Sequence, residues 1–243
     1  MKPLQIYWKE RKAKLSPEIN SKLDELLKKG HMTDELIFIQ RKRPKLQKGD
    51  VFVVQPRENI YFYGLVLNVV STSSCNCKIF ACIFKNITHE KNTDNFRPDF
   101  NNLLLPPILL IKEPWTSGYF FNVGRINLDE IDVPTYGFYH DYTNCIFSDL
   151  NERLNYYPSL IGLLMYSGIG AVACEIESEL IINPNLLLDD QPPSQSDFCI
   201  KFPEIIKRRG INCWFYKIQS RRSPFSLIYS LLSLILLKLS SGF

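Results

Sequence analysis

The sequence predicts an α+β protein: a small, strongly bent β-sheet or barrel that carries an N-terminal helix and a mixed C-terminal extension. Three observations predict it. A Lys48-Gly49-Asp50 turn leads into the β-branched and aromatic run Val51-Phe52-Val53-Val54. A polar loop then opens a second such run, Tyr61-Phe62-Tyr63-Gly64-Leu65-Val66-Leu67, with a glycine inside it. Gly49 and Asp50 suit a tight entry, and Gly64 marks a bulge or a close backbone approach, which is how a small bent sheet begins. Upstream, Ser16-Pro17-Glu18-Ile19 reads as an N-cap, a proline at N1 and an acidic first turn.

Each element follows from the same kind of signal. After the cap, Ile19, Leu23, Leu26 and Leu27 keep helical spacing as far as Lys28-Lys29-Gly30, a basic end closed by glycine. Residues 35–40 read as a short helix or strand, before the basic linker 41–48. From Gly49 to about Phe147 the chain is β-rich, with strands expected at 51–55, 61–70, 78–84, 107–111 and 119–124, and a further piece around 137–142. The long polar stretch 85–102 is a functional loop or an ordered excursion. Residues 158–182 are apolar and carry Gly162, Gly168 and Gly170; within them, 171–180 reads as helix or as strand, the alternation of Glu175, Glu177 and Glu179 favouring strand. Residues 183–197 form a Pro/Asn/Gln/Ser linker and 198–218 a short basic and aromatic closing segment. The organisation expected is therefore a basic helical segment (1–48), a β-rich domain (49–182), a linker and closing segment (183–222) and an apolar tail (223–243).

The tail departs from everything before it. Its Leu/Ile/Ser run, 225–237, is shorter than the roughly 20 apolar residues that span a bilayer. It reads as a docked core helix, as a membrane-surface segment, or as the product of an altered reading frame; membrane contact is not the favoured reading.

Charge is unevenly divided. Residues 1–48 hold 13 basic and 6 acidic side chains, a balance of +7; residues 49–190 hold 8 and 17, a balance of −9; residues 191–243 hold 8 and 2, a balance of +6. An acidic centre suits a basic protein partner and disfavours nucleic acid, because surface charge governs encounter rather than fold. No apolar leader pattern opens the chain, and the seven cysteines read as buried, reduced thiols of a cytoplasmic protein.

Catalytic and metal signatures are weak. Cys75, Cys77 and Cys82 lack the second ligand pair of a structural zinc site; strand alternation puts Cys75 and Cys77 on one face and Cys82 on the other. His31, His89 and His140 are far apart, and His140-Asp141 is the one candidate acid/base pair. Nucleophile elbows, phosphate loops and dinucleotide fingerprints are missing from the sequence. No cofactor and no metal are expected. The aromatics speak more clearly: Trp115, Tyr119, Phe120, Phe121, Tyr136, Phe138, Tyr139 and Tyr142 crowd one stretch beside Asp129, Glu130, Asp132 and Asp141. Strand alternation makes some of these rings core, and the set reads either as the filling of the barrel or, where rings are exposed among carboxylates, as a protein-binding surface; stacking on bases is the rival use, which the local charge disfavours. The candidate partner-binding residues are thus Trp115, Tyr119, Tyr139, Asp129, Glu130, Asp132 and Asp141.

Taken together, Lys48-Gly49-Asp50-Val51-Phe52, Tyr63-Gly64-Leu65-Val66-Leu67, Leu105-Pro106-Pro107, Trp115-Thr116-Ser117-Gly118-Tyr119-Phe120 and Tyr136-Gly137-Phe138 resemble immunity protein family twenty-six of bacterial polymorphic toxin systems. The resemblance covers about residues 46–150. It implies a cytoplasmic α+β protein that binds and neutralises a cognate protein toxin without turnover. The alternative is a small-barrel RNA-binding or endoribonuclease-type protein, in which Asp50 and Arg57 would serve phosphate and proton chemistry. Oligomeric state is left open.

Overall fold

The computed structural model describes residues 1–30, 35–72, 76–94, 96–188 and 194–210. His31, Cys75 and the apolar tail lie outside the described residues. The turn before the first strand behaves as its residue types demand. Gly49 has φ +86°, and a Cβ there would lie 2.2 Å from the Ile126 carbonyl oxygen, so glycine alone fits. Asp50 locks the turn: Oδ2 accepts from the Gln47 backbone N–H at 2.8 Å and Oδ1 accepts from Arg125 Nε at 2.7 Å.

From this turn run β1 (Asp50–Arg57), β2 (Ile60–Thr72), β3 (Asn76–Thr88) and β4 (Leu103–Leu110), followed by a short α3 (Glu113–Thr116) and β5 (Phe120–Arg125). The chain then makes β6 (Tyr136–His140), β7 (Cys145–Phe147), β8 (Leu160–Leu163) and β9 (Tyr166–Ser167). The main sheet has the order β5-β1-β2-β3-β4-β9, antiparallel except for the short β4–β9 pairing. A second sheet has the order β7-β6-β8, with β6 and β8 parallel. The α+β expectation holds, and of its two forms the open sheet is the one found; β5 and β9 end it and no barrel closes. Register shifts interrupt all four antiparallel pairings of β1 to β5, and such bulges bend the strands.

Both faces of the main sheet are buried. Phe52, Val54, Phe62, Val66, Ile79 and Ala81 point into one core, against Ile169, Val172, Ala173, Ile176 and Leu180 of α4 (Ile169–Ile182). Val51, Val53, Tyr63, Leu65, Phe80 and Cys82 point into another, against Phe96, Phe100, Leu128, Phe138 and Leu160. The long stretch after β3 is therefore an ordered excursion, whose Phe96 and Phe100 rings pack 5.4 Å and 5.7 Å from Phe84 and roof the sheet. Cys77 packs against the first core and Cys82 lies in the second, opposite faces as strand alternation requires.

Helices complete the cover. α2 (Pro17–Lys29) forms as its caps dictate, with Ser16 Oγ accepting from the Ile19 N–H at 3.3 Å. α1 (Pro3–Lys12) buries Pro3, Tyr7 and Arg11 at four-residue spacing. Residues 171–180 are helical: Val172, Ala173, Ile176 and Leu180 make a buried stripe, and the alternating glutamates merely imitate a strand. The expected closing segment contains α5 (Asp197–Arg208), N-capped by Ser196 and buried through Cys199, Phe202, Ile205 and Ile206 despite an internal Pro203. It joins Tyr7, Tyr139, Ile146 and Ile161 in a third core. Residues 35–40 are neither helix nor strand; Ile37 donates to the Gln55 carbonyl, and Ile39 and Gln40 donate to that of Gly118.

Gly64 is a close approach as well as a bulge. It pairs with Phe52 on β1, and a Cβ would lie 2.1 Å from the Phe52 ring, which stacks on Phe120 at 4.6 Å and meets Trp115 edge-on at 5.1 Å. Gly64→Ala forces this aromatic set to move and is expected to cost about 2–3 kcal/mol. The measurement is a lower urea midpoint at unchanged m-value; an unchanged midpoint would mean that Phe52 is free to yield.

Candidate functional site

After β5 the chain turns through a short 3-10 helix, Leu128–Glu130, and an extended stretch before β6. Its side chains sort by polarity. Leu128 is buried in the second core and Ile131 and Val133 pack against it, so Asp129, Glu130 and Asp132 face outward. Asn127 fixes the turn at both ends of its amide, accepting from the Asp129 N–H at 3.2 Å and donating to Glu130 Oε1 at 2.8 Å. Asp129 meets Lys48 Nζ at 2.9 Å, but its side chain remains 81% exposed. Three carboxylates thus stand on a turn anchored to the core.

Beside them opens a cleft of about 370 Å³, lined by Lys48, Leu128, Pro134, Tyr136, Asp149 and Tyr156. Asp149 Oδ2 accepts from the Tyr136 hydroxyl and from Asn68 Nδ2, the latter at 2.8 Å. Burial first, and then the Asp149 carboxylate, push the Tyr136 hydroxyl pKa up, so Tyr136 stays a neutral donor. Tyr156, also in the lining, is half exposed. The arrangement offers carboxylates, a fixed phenol and an accessible ring. Its charge and shape complement basic and aromatic groups, and no nucleophile and base are held together in it.

The expected site residues divide. Asp129, Glu130 and Asp132 come together on the exposed turn. Tyr119 is partly buried, edge-on to Phe38 at 6.5 Å, at the far end of β5. Asp141 lies past the far end of β6 and pairs with Lys2 Nζ at 2.7 Å. Trp115 and Tyr139 could bind a partner only through exposed rings, and both rings are buried. Trp115 is fully buried, edge-on to both Phe52 and Phe120 at 5.1 Å, its Nε1 donating to Asn122 Oδ1 at 2.7 Å. Tyr139 is 1% exposed, because β6 is the central strand of its sheet and α5 covers it; its ring lies 5.7 Å from Phe202. Sequence reasoning missed Tyr156, although its setting, Tyr156-Tyr157-Pro158 after a polar turn, marks an exposed ring.

The remaining candidates are held apart. His140 Nδ1 bonds Thr143 Oγ1 at 2.9 Å, while the Asp141 carboxylate is paired with Lys2. Asp50 and Arg57 stand at opposite ends of one strand, about 23 Å apart at the usual rise. Asp50 is bound by Arg125, and Arg57 Nη2 donates to both oxygens of Glu177 at 2.8 Å. Among the described residues no group of three His, Cys, Asp or Glu is placed to hold a metal ion. No described helix is long and apolar enough to cross a membrane.

Neither the curated proteins nor the solved structures contain a match to the chain. Residues 47–149, which hold β1 to β7, the carboxylate turn and the Tyr136–Asp149 pair, match the family model described as Immunity protein 26, the family that the sequence motifs resemble.

Proposed function

We propose that this chain is a cytoplasmic immunity protein of a bacterial toxin system, binding a cognate protein toxin and neutralising it by occupation rather than by chemistry. The observation that carries this reading is the position of the carboxylate turn and most of the adjoining cleft inside the span that matches Immunity protein 26. The turn is built for binding. Its apolar side chains fix it to the core, so little ordering entropy is lost when Asp129, Glu130 and Asp132 engage a partner. The acidic balance of residues 49–190 adds a long-range field that speeds encounter with a basic surface. Tyr156 and the cleft behind it would receive an aromatic or basic side chain of the toxin, since central rings dominate interface energies.

Two measurements test this. Reversing the turn (Asp129→Lys, Glu130→Lys and Asp132→Lys together) is expected to slow association with the toxin by about 10- to 100-fold at low salt, with thermal stability little changed. An unchanged association rate would remove the turn from the interface. Trp115→Ala is expected to act on stability instead, costing about 3–5 kcal/mol in denaturant unfolding. A Trp115→Ala protein of full stability that no longer binds toxin would put the ring back at the surface.

A further inference from the structure

Between α1, β4, α4 and α5 lies a cavity of about 130 Å³. A dry cavity of about 150 Å³ admits a benzene-sized molecule, so this one has room for about six non-hydrogen atoms. Its walls are mostly apolar: Leu4, Trp8, Leu104, Leu105, Ile108 and Phe198. Glu175, which keeps partial access to solvent, also lines it and makes no hydrogen bond or ion pair with any described residue. Burial, and then the neighbouring Glu179 carboxylate, raise the Glu175 pKa to about 7.

The donors and acceptors around the cavity select the ligand. Pro106 and Pro107 have no N–H, so this stretch of β4 offers no backbone donor. Arg11 is committed: its Nη1 and Nη2 donate to the two Glu179 oxygens at 2.6 Å and 2.7 Å, and Nη1 also donates to the Tyr7 hydroxyl at 2.8 Å. Glu175, Glu179 and Asp197 against Arg11 and Lys85 leave one negative charge in excess once Glu175 ionises. An anion is repelled. A bare divalent cation needs about six oxygen ligands, whereas Glu175, Glu179 and Ser167 are the oxygen-bearing side chains of the lining. A neutral hydrocarbon leaves the carboxylate desolvated and unpaired. A cation with several N–H donors on a short apolar body satisfies every wall.

We propose that this cavity binds a primary ammonium group carried on a short hydrocarbon chain, Glu175 receiving the ammonium and the apolar wall the chain. The inference is independent of toxin binding. Free alkylamines and the lysine side chain of a peptide share this chemistry. The titratable groups around the cavity are Glu179 and Cys174 from α4, Arg11 and Tyr7 from α1, Lys85 from β3, Asp197 from α5 and Glu35, which acts on Cys174.

The test is calorimetric titration of the full 243-residue chain with n-butylammonium, n-butanol and butyrate. The ammonium is expected to bind one to one, with the alcohol and the carboxylate at least tenfold weaker. Because Glu175 must be ionised to receive it, affinity rises about tenfold from pH 6 to pH 8. Glu175→Gln removes this binding and its pH dependence while thermal unfolding shows the variant folded. Leu163→Trp, which fills the cavity and leaves Glu175 in place, removes it as well. Failure of n-butylammonium to bind, equal binding of n-butanol, or undiminished binding to Glu175→Gln would each overturn the proposal. A blocked lysine amide separates the sources: binding as tight as n-butylammonium assigns the site to a peptide side chain, and exclusion assigns it to a free amine, the ammonium site standing in both cases.

Discussion

The constraint on which the structure depends is that the main sheet is apolar on both faces. Antiparallel sheets commonly leave one face to water and read as alternating sequences. Here β1 places Phe52 and Val54 in one core and Val51 and Val53 in the other, all fully buried. Every such residue left in water would forfeit about 1.5–3 kcal/mol. Two layers of cover are therefore required, and the rest of the chain supplies them. α4 lies on one face; the Phe96–Phe100 excursion, the Leu128 turn and the small sheet lie on the other.

Covering a sheet with α4 creates an electrostatic demand of its own. The helix carries Glu175, Glu177 and Glu179 on its flanks, close to a dry core. Two of the three are met by arginines from distant elements: Glu177 by Arg57 at the end of β1, Glu179 by Arg11 of α1. The second pair is the more buried, at 7% and 13% side-chain exposure, and its two-pronged geometry tolerates no lysine equivalent. Removing one partner of a buried pair costs on the order of 3–5 kcal/mol, mostly through the charge left behind. The Arg11–Glu179 pair ties α1 to α4, and little net stability is expected from it. Glu175 is the third carboxylate and has no arginine, which is why the cavity beside it carries unspent charge.

What the sequence made legible follows from what each signal depends on. β1 to β6 were readable because turn residues and β-branched runs act locally. Gly49 and Gly64 announced their constraints in the same way, since a missing Cβ has few uses. α5 was hidden by Pro203, although the Ser196 cap and the Cys199, Phe202, Ile206 spacing were present. α4 was ambiguous because its glutamates alternate by two, and only its partners on other elements decide the period. The choice between sheet and barrel also lay beyond local signals, since closure depends on edges that never meet. Trp115 and Tyr139 mark the limit most clearly. Strand alternation separates one face from the other, but it cannot say that both faces are covered, so which rings were core and which exposed could not be read from it.

The same double cover explains why the exposed carboxylates stand on a connection rather than on a strand. On a sheet with a solvated face, binding residues could sit on the strands themselves. With both faces occupied, the sheet's own exposed positions lie at its edges and connections, and a rigid connection loses less ordering entropy on meeting a partner. Leu128, Ile131 and Val133 provide that rigidity by docking into the second core, while the intervening Asp129, Glu130 and Asp132 are left to solvent. The ammonium cavity is built from the other face, through Leu104, Leu105 and Ile108 of the first core and the α1, α4 and α5 side chains. Its helical walls lie outside residues 47–149, whereas the turn lies within them. The two surfaces share no lining residue, so occupation of one leaves the other open, and any coupling between them has to pass through the sheet itself.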